Sequence, residues 1–410
     1  MGGMVRHRMV AAMAGLAVAC APAFGQMQRF HQQFSTVLAE HGIVGGAVAI
    51  VHRGEPATEF FYGVQRQGSH EAIDAETTYN WASITKTMTA IAILQLRDRG
   101  KLKLNDPAVR YVPELREVHD TFGPVDAITI RDLLTHSAGF RNPTWPWDCD
   151  DAANCDWQPF EPTRWAQVAA MLPYTNVAFQ PGTRWSYSNL GYVFLGQIIE
   201  RLTDQNYVEY VTKNILMPLG MTRSYFDQSP YYLERHVSAS YVQVGGKLTE
   251  QPFDFDTGIT TSNSGLKAPM VDMEKYLRFL IGEAGSAMYA QVLQRSSLKE
   301  AWQGILPVTE DGTSTGPYVM GQPKMGLGFF TLEAKGQRYV YHDGDQGGFS
   351  SEMIFDPQRG VGSLVMVNTT DEGAPATGVP HAEPNSAPDA GTDLRLVLRK
   401  DLRGEVFSGR

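Results

Sequence analysis

Apolar residues near the start of the chain fall first into strand-like runs and then into a helical pattern. Residues 45–52 are apolar and β-branched, and residues 60–64 form a second run after the turn at residues 53–56. Two short runs around a turn predict a β-hairpin. Over residues 83–99 the apolar positions follow mixed helical spacings on most sides, which predicts a buried helix that stops at Gly100.

The middle of the chain has helical periodicity, and its last third returns to short apolar runs separated by Gly, Asp or Pro. The pattern predicts helices over residues 129–135, 164–172, 190–202, 208–216, 270–281 and 288–302. It predicts strands over residues 326–332, 337–342, 351–355 and 362–368. A loose Pro-, Ala- and Gly-rich linker is predicted over residues 371–389, and a closing helix over residues 394–407.

Strands at both ends with helices between them predict an α+β fold. Its simplest form is one antiparallel sheet built from both chain ends, flanked by helices, with an inserted, mainly helical region. The sheet region is expected at about residues 26–104 and 303–410, and the helical region at about residues 105–302. No internal repeat is visible, so residues 26–410 are expected to form one domain.

The first 25 residues have the pattern of a secretory signal peptide. A basic segment with Arg6 and Arg8 precedes an apolar run over residues 9–19, which is too short for a stable membrane span. Cleavage is expected before Gln26, and the mature protein is expected in the periplasm or outside the cell, without a stable membrane span. The alternatives are an N-terminal membrane anchor and a lipoprotein processed at Cys20.

Composition narrows the expected partners. The chain of 410 residues is 43% hydrophobic and 19% charged, as in an ordinary globular protein. Its net charge of −9 disfavours nucleic-acid binding, which needs basic patches. A small-molecule or short-peptide substrate is expected, and the sequence leaves the oligomeric state open.

Two cysteines, Cys149 and Cys155, would remain after export, and an oxidising compartment favours a disulfide between them. The alternative is two free thiols. The acidic segment around them lacks the spacing of a calcium loop, and no pair of histidines has zinc-like spacing. We therefore expect neither a metal nor another cofactor.

The pattern Ser-x-x-Lys occurs three times, at Ser83 to Lys86, Ser264 to Lys267 and Ser296 to Lys299. On a helix this spacing places a lysine amine beside a serine hydroxyl, which needs an adjacent base to become a nucleophile. Ala268-Pro269 prevents a helix from continuing past Lys267. The third pair lies in a polar helix and is expected at the surface. Ser83 instead begins a long apolar helix, which would fix it in place, so we take it as the candidate nucleophile.

A competing serine lies in the segment of residues 312–316, which matches the Gly-x-Ser-x-Gly nucleophile elbow at Ser314. That motif needs a strand before it and a helix after it. Acidic residues precede this segment and Pro317 follows it, which favours a flexible loop over an α/β-hydrolase elbow.

Two further clusters carry polar groups that suit catalysis. Tyr187-Ser188-Asn189 precedes a strong helix, and His342-Asp343-Gly344 lies at the end of a strand. The first cluster also reads as a helix start capped by Ser188 or Asn189. The second also reads as a glycine-rich turn with an incidental histidine.

Together the three clusters resemble, in order and separation, the motifs of the penicillin-recognising serine hydrolases. The resemblance is to the class C β-lactamase-related branch, which includes D,D-peptidases, D-aminopeptidases and carboxylesterases. Residues 133–139 and 218–221 also resemble family segments, and the likeness runs from about the first strand to Asn368. It implies a β-lactamase/transpeptidase-like fold.

The resemblance also implies a role for each site residue. Ser83 would be the acylated nucleophile, and Lys86 and Tyr187 would share the proton transfers, either of them serving as the general base. Asn189 would hydrogen-bond Lys86 and the substrate amide. Backbone N–H groups of Ser83 and Asp345 would form the oxyanion hole, where each donor is worth about 3–4 kcal/mol.

The third motif departs from the Lys-Thr-Gly form of typical β-lactamases, because His342 stands in place of the lysine. With Gly344 and Asp345 it is expected to orient the substrate, and as a neutral histidine it supplies less positive charge. Asp343 and Asp345 would repel a substrate carboxylate unless both side chains point away. We therefore expect a neutral or amine-bearing acyl substrate of a peptidase or carboxylesterase, with a true β-lactamase or D-Ala-D-Ala carboxypeptidase as the alternative.

An aromatic wall beside the pocket is a further expectation. The segment of residues 140–160 is rich in aromatic residues and contains the two cysteines, whose bridge would hold it in place beside an apolar acyl group. The alternative is packing onto the helical region. The aromatic residues are Trp145, Trp147, Trp157 and Phe160.

The alternative to a serine hydrolase, from another functional class, is a non-catalytic sensor that kept the fold.

Overall fold

The computed structural model describes residues 28–140, 162–244, 246–254, 257–282, 287–308, 322–334 and 336–371. The predicted signal peptide, the cysteine loop with its four aromatic residues, the segment around Ser314 and the closing helix lie outside the described residues. So does the predicted linker beyond Asp371.

Within the described residues, one eight-stranded sheet contains strands from both ends of the chain, in the order β2-β1-β12-β11-β10-β9-β8-β7. Strand β1 pairs antiparallel with β12, so that Gly46 faces Val367 and Val51 faces Gly362. The predicted α+β fold with an antiparallel sheet is thereby confirmed, and the α/β-hydrolase alternative is excluded. The strands of this sheet are β1 (Gly45–His52), β2 (Thr58–Gly63), β7 (Leu306–Pro307), β8 (Lys324–Met325), β9 (Phe330–Ala334), β10 (Gln337–Gln346), β11 (Phe349–Asp356) and β12 (Val361–Val367).

Short strands that the sequence patterns did not predict form two smaller sheets. The sequence of β5, Lys-Leu-Thr-Glu-Gln, is mostly polar, so it carries no strong strand signal. These strands are β3 (Thr78–Asn80), β4 (Ser240–Val244), β5 (Lys247–Gln251), β6 (Lys267–Pro269) and β13 (Thr369–Asp371).

The helices lie close to their predicted positions, with one prediction wrong. The single helix predicted over residues 288–302 is two helices, because Gln294 has an extended backbone and begins the second one. The segment predicted as one helix over residues 208–216 continues from its α-helix into a π-helical turn, Thr212–Leu216. The helices are α1 (described from residue 28 to 40), α2 (Thr85–Asp98), α3 (Ile130–Leu134), α4 (Trp165–Met171), α5 (Asn189–Thr203), α6 (Tyr207–Val211), α7 (Thr261–Ser264), α8 (Met270–Ile281), α9 (Ala287–Val292) and α10 (Arg295–Ala301).

Strand β1 is buried on both faces, which explains its continuous apolar sequence. Alternate residues point to opposite faces of a strand. Val48 and Ile50 pack in the cluster that contains Phe34 of α1. Ala47 and Val51, on the other face, pack in the larger cluster with α2 and α8. The sheet therefore lies between α1 and the helices that carry the candidate site.

A pair of acidic residues lies where α8 packs against the edge of this sheet. Glu274 of α8 and Glu59 of β2 are both half-buried and share a hydrogen bond. Burial, and then the charge of Glu59, raise the pKa of Glu274 to about 8. Glu274 is therefore protonated at neutral pH.

Among the residues described, no helix combines the length and the apolar character needed to cross a bilayer.

Candidate active site

Ser83 lies in a tight 3₁₀ turn, Ala82–Ile84, that leads directly into α2. The preceding residue, Ala82, has a φ of +47°, a conformation that costs a non-glycine residue about 1–3 kcal/mol. Two hydrogen bonds hold it there: its N–H donates to Asn80 Oδ1 at 2.8 Å, and its carbonyl accepts from Thr85 Oγ1 at 2.6 Å. The Ser83 side chain is thereby fixed at the start of a fully buried helix.

Lys86 is fully buried one turn later and faces the serine. Its Nζ donates to Ser83 Oγ at 3.0 Å and to the carbonyl of Asn263 at 2.8 Å. Burial holds the pKa of Lys86 well below its usual value. The lysine is therefore biased towards the neutral amine, which can accept a proton from the serine hydroxyl.

Tyr187 lies across from this pair, just before α5. Its ring centroid is 4.9 Å from Lys86 Nζ. Burial raises the pKa of Tyr187, the Ser83 hydroxyl opposes this effect, and the charges of Asp345 and Asp343 add to it. Among the described residues, the Tyr187 hydroxyl makes no hydrogen bond of good geometry. The free site therefore favours a neutral phenol next to an uncharged amine, rather than a phenolate.

Helix α5 begins directly after Tyr187. Ser188 is its N-cap and accepts a hydrogen bond from the N–H of Gly191 at 3.1 Å. Asn189 is the first helical residue and is half-buried. Of the two residues expected to cap the helix, Ser188 does so. It caps the helix at the same point where the chain passes the site. The expected hydrogen bond between Asn189 and Lys86 stays a prediction.

Strand β10 brings the third motif to the serine. A Cβ on Gly344 would lie 2.5 Å from Trp81 O and 3.0 Å from Ser83 N, so only glycine fits there. Pairing between β9 and β10 ends at Tyr341. The part of β10 after Tyr341 therefore runs alongside the Ser83 turn, where the N–H groups of Ser83 and Asp345 are expected to form the oxyanion hole.

His342 is buried next to this close contact. Its Nδ1 donates to the carbonyl of Asp343 at 2.6 Å, and its ring lies 5.2 Å from that of Phe330. Burial, and then the charge of Lys86, lower the pKa of His342 to about 4. At pH 7 it is therefore a neutral group.

Asp343 and Asp345 lie on the opposite face of β10 from His342 and Gly344. They share that face with Tyr341, whose side chain packs in the same cluster as Tyr187. Both carboxylates are nearly buried, 7% and 6% exposed, and their charges act on Tyr187.

The two other Ser-x-x-Lys pairs are not built as catalytic pairs. Helix α7 ends at Ser264, and Lys267 lies in β6, where its Nζ donates to Asp227 O and Asp254 Oδ1. Ser296 and Lys299 are exposed, as expected. No group of three or more His, Cys, Asp or Glu side chains in the described part of the chain is arranged to hold a metal ion.

Two residues at the site were not given a role from the sequence. The carbonyl of Asn263 accepts a hydrogen bond from Lys86, although the two residues are 177 positions apart in the sequence. No sequence motif predicts this contact. His136 packs on Tyr187 with ring centroids 4.4 Å apart. The segment of residues 133–139 carried a signal for His136, because it resembles a family segment.

The fold is that of the β-lactamase/transpeptidase-like proteins, a class of serine hydrolases. The Beta-lactamase family model matches residues 30–383, so the chain belongs to the beta-lactamase family, as the motifs predicted. Protein flp from Staphylococcus aureus (strain COL) is 27% identical over 352 residues, which cover 84% of this chain and 64% of flp. The chain thus spans less than two thirds of the length of this relative.

Two solved structures extend the comparison. The octameric penicillin-binding protein homologue from Pyrococcus abyssi is 26% identical, with a TM-score of 0.71 over 92% of this chain and 79% of that chain. A class C beta-lactamase is 18% identical, also with a TM-score of 0.71, over 93% of this chain and 96% of that one. At that identity the likeness concerns the fold alone.

Proposed function

We propose that the protein is an exported serine hydrolase that cleaves an ester or amide through an acyl-enzyme on Ser83. One observation carries the proposal: the buried Lys86 Nζ lies 3.0 Å from Ser83 Oγ. Burying a lysine amine costs free energy unless the group is paired or neutral. Among the three described Ser-x-x-Lys pairs, only Ser83 and Lys86 combine a strained helix start with a buried lysine beside the serine.

The directions of the pKa shifts of Lys86 and Tyr187 indicate which group accepts and which group donates a proton in the reaction. Lys86, biased towards its neutral form, takes the proton of the Ser83 hydroxyl while Oγ attacks the substrate carbonyl carbon. Tyr187, biased towards its protonated form, gives its proton to the leaving alcohol or amine and recovers one from Lys86. In the second half-reaction a water gives a proton to the same pair and attacks the acyl carbon. The bond from that carbon to Ser83 Oγ then breaks, and the pair returns the proton to Oγ, which releases the acid and restores Ser83.

The charges next to the site favour an acyl group without a carboxylate. His342 is neutral at pH 7 where related enzymes carry a lysine, and Asp343 and Asp345 lie close enough to act on Tyr187. A substrate carboxylate there would meet two like charges, whereas an amine would meet opposite charges. We therefore propose neutral or amine-bearing esters and amides as substrates.

Covalent labelling tests the proposed nucleophile. The protein is treated with a fluorophosphonate and, separately, with a β-lactam, and the adduct is mapped by mass spectrometry. We expect a fluorophosphonate adduct on Ser83 of the wild type and no adduct on the Ser83→Ala variant. An adduct on Ser314 would contradict the proposal and place the nucleophile in the segment of residues 312–316. The absence of any adduct with either reagent would support a non-catalytic sensor.

Paired substrates test the proposed specificity. We expect kcat/KM for a neutral or amine-bearing ester to exceed that for a matched ester with a free carboxylate by about tenfold or more, since each of the two like-charge contacts costs about 1 kcal/mol. The variants Asp343→Asn and Asp345→Asn should narrow this ratio, and Asp126→Asn, a change at an exposed carboxylate, should not. A D-Ala-D-Ala peptide cleaved faster than simple esters, or efficient hydrolysis of penicillins, would favour the carboxypeptidase or β-lactamase alternative.

Export is the part of the proposal that rests on the N-terminal sequence alone. The basic segment and the apolar run of residues 9–19 support it. Determining the N-terminus of the protein recovered from the periplasm or medium tests it. A mature chain that begins at Gln26 is expected, and retention of residues 1–25 on an intracellular protein would contradict the proposal.

A further inference from the structure

His136 makes backbone and side-chain contacts to both residues that flank Tyr187. Its carbonyl accepts a hydrogen bond from the N–H of Ser186 at 2.8 Å. Its ring nitrogen Nδ1 accepts one from the N–H of Ser188 at 3.1 Å. One residue thus fixes the chain immediately before and immediately after the tyrosine.

The ring of His136 also supports the ring of Tyr187. The two rings are stacked, with centroids 4.4 Å apart and planes 29° apart. Tyr192 and Trp185 lie against the histidine at 5.0 and 6.4 Å between centroids. Because these contacts fix the His136 ring, the Tyr187 ring stacked on it has little freedom to rotate.

The backbone of His136 is itself strained, with a φ of +54°. Non-glycine residues rarely adopt this conformation, and such strain persists only where the surroundings enforce it. Here it allows the carbonyl and the ring of one residue to reach Ser186 and Ser188 at the same time.

From these contacts we infer that His136 is a positioning residue that holds Tyr187 over Lys86, and that it works as an uncharged ring with its proton on Nε2. This inference rests on the proposed function of Tyr187. Since Nδ1 accepts from Ser188, the single proton of a neutral imidazole must be on Nε2. Nε2 is buried and has no hydrogen-bond partner among the described residues.

The surroundings keep the ring uncharged. Burial, and then the electrostatic influence of Lys86 and His342, hold the pKa of His136 well below its usual value. A protonated ring would have to turn Nδ1–H towards the Ser188 N–H, donor against donor.

The variants His136→Asn and His136→Phe separate the two contacts. Asparagine tolerates a positive φ but cannot stack, and phenylalanine can stack but leaves the Ser188 N–H without an acceptor. With a p-nitrophenyl ester we expect kcat per active site to fall about 10- to 100-fold in His136→Asn, with KM changed less than threefold, because misplacement of a reacting group costs rate rather than binding. The kcat of His136→Phe should lie between those of His136→Asn and the wild type.

Active-site titration with the fluorophosphonate corrects for unfolded protein. His119→Asn, at an exposed histidine, and His236→Asn, at a buried histidine outside the site, are the matched controls and should keep the wild-type kcat. A purely structural histidine would lower the active fraction or Tm but leave kcat per active site and its pH profile unchanged. That result would overturn the inference.

Nitrogen NMR of ¹⁵N-histidine-labelled wild type gives a test that does not depend on folding of the variants. We expect the His136 signals to show a neutral ring with its proton on Nε2 from pH 6 to pH 9. A proton on Nδ1, or an imidazolium at pH 7, would overturn the inference even if Ser83 is labelled. Conversely, a wild type that leaves Ser83 unlabelled would refute the proposed function, and the NMR result would still decide whether the Ser188 contact exists.

Discussion

Gly344 of β10 passes so close to Ser83 that a Cβ atom on it would lie 3.0 Å from Ser83 N. In Gly344→Ala the strand must therefore move away from the Ser83 turn, and the oxyanion donors move with it. We expect kcat to fall about 10²- to 10³-fold, the effect of losing one such donor, with the protein still folded. Steady-state kinetics with an activated ester, together with circular dichroism, measures both.

The matched control for this change is Gly123→Ala, because Gly123 is exposed and no atom lies within 4 Å of its added Cβ. It should keep the wild-type kcat. Equal loss in both variants, or wild-type activity in Gly344→Ala, would mean that this close contact does not shape the oxyanion hole.

Removing the buried amine should stop acylation rather than binding. Lys86→Met keeps the length and apolar packing of the side chain but deletes the group that contacts Ser83 Oγ. A general base contributes about 10²- to 10⁴-fold, so we expect the rate of fluorophosphonate labelling to fall by that factor. Lys299→Met, at the exposed lysine of another Ser-x-x-Lys pair, should label at the wild-type rate.

Burial of His342 makes the fold weaker in mild acid. Its pKa is about 4 in the folded protein and 6.5 when exposed, so between these values the unfolded chain binds a proton that the folded protein does not. The stability due to the neutral ring is complete above pH 6.5 and is lost as pH falls towards 4. The loss amounts to at most about 3 kcal/mol.

His342→Asn can keep the hydrogen bond to the Asp343 carbonyl without titrating. Urea unfolding at pH 4.5 and pH 7 should therefore show a smaller drop in unfolding free energy for His342→Asn than for the wild type. His119→Asn, at an exposed site, should behave as the wild type does. A drop of equal size in all three proteins would rule out the contribution of His342.

The acidic pair between α8 and β2 has the opposite dependence on pH. The pKa of Glu274 is raised from 4.5 to about 8, so its contribution is fully present below pH 4.5 and is lost as pH rises through 8. Glu274→Gln should therefore be more stable relative to the wild type at pH 9 than at pH 5, by about 1–2 kcal/mol once solvent screening is allowed for. Thermal unfolding at both pH values measures this, and the exposed Glu40→Gln should show no such difference.

The sequence could predict the fold class and the region of the site because both depend on strong local signals. The apolar run of β1 and the helical period of α2 each report burial directly. The start of α5 was also visible, because Ser188 is a typical N-cap residue directly before an apolar helix.

What could not be predicted depends on groups that meet only in the folded chain. The carbonyl of Asn263 has no side-chain chemistry that a motif could reveal, yet it accepts a hydrogen bond from Lys86. The strain at Ala82 is invisible because alanine usually adopts ordinary helix or strand conformations. The break near Gln294 was missed because no Gly or Pro interrupts residues 288–302.

The pairing of β1 with β12 has a consequence for how the protein comes to be active. Residues 46–52 pair only with residues 361–367, so these two strands, the second and third from one edge of the sheet, close one of the longest loops in the described chain. Such distant pairings form late and slowly. A growing chain holds Ser83, Lys86 and Tyr187 long before β10 to β12 exist, and without Gly344 against the serine the site is incomplete. Hydrolytic activity would thus report that the last strands have been made and have docked, so the onset of ester cleavage during synthesis or refolding could time the closure of the sheet.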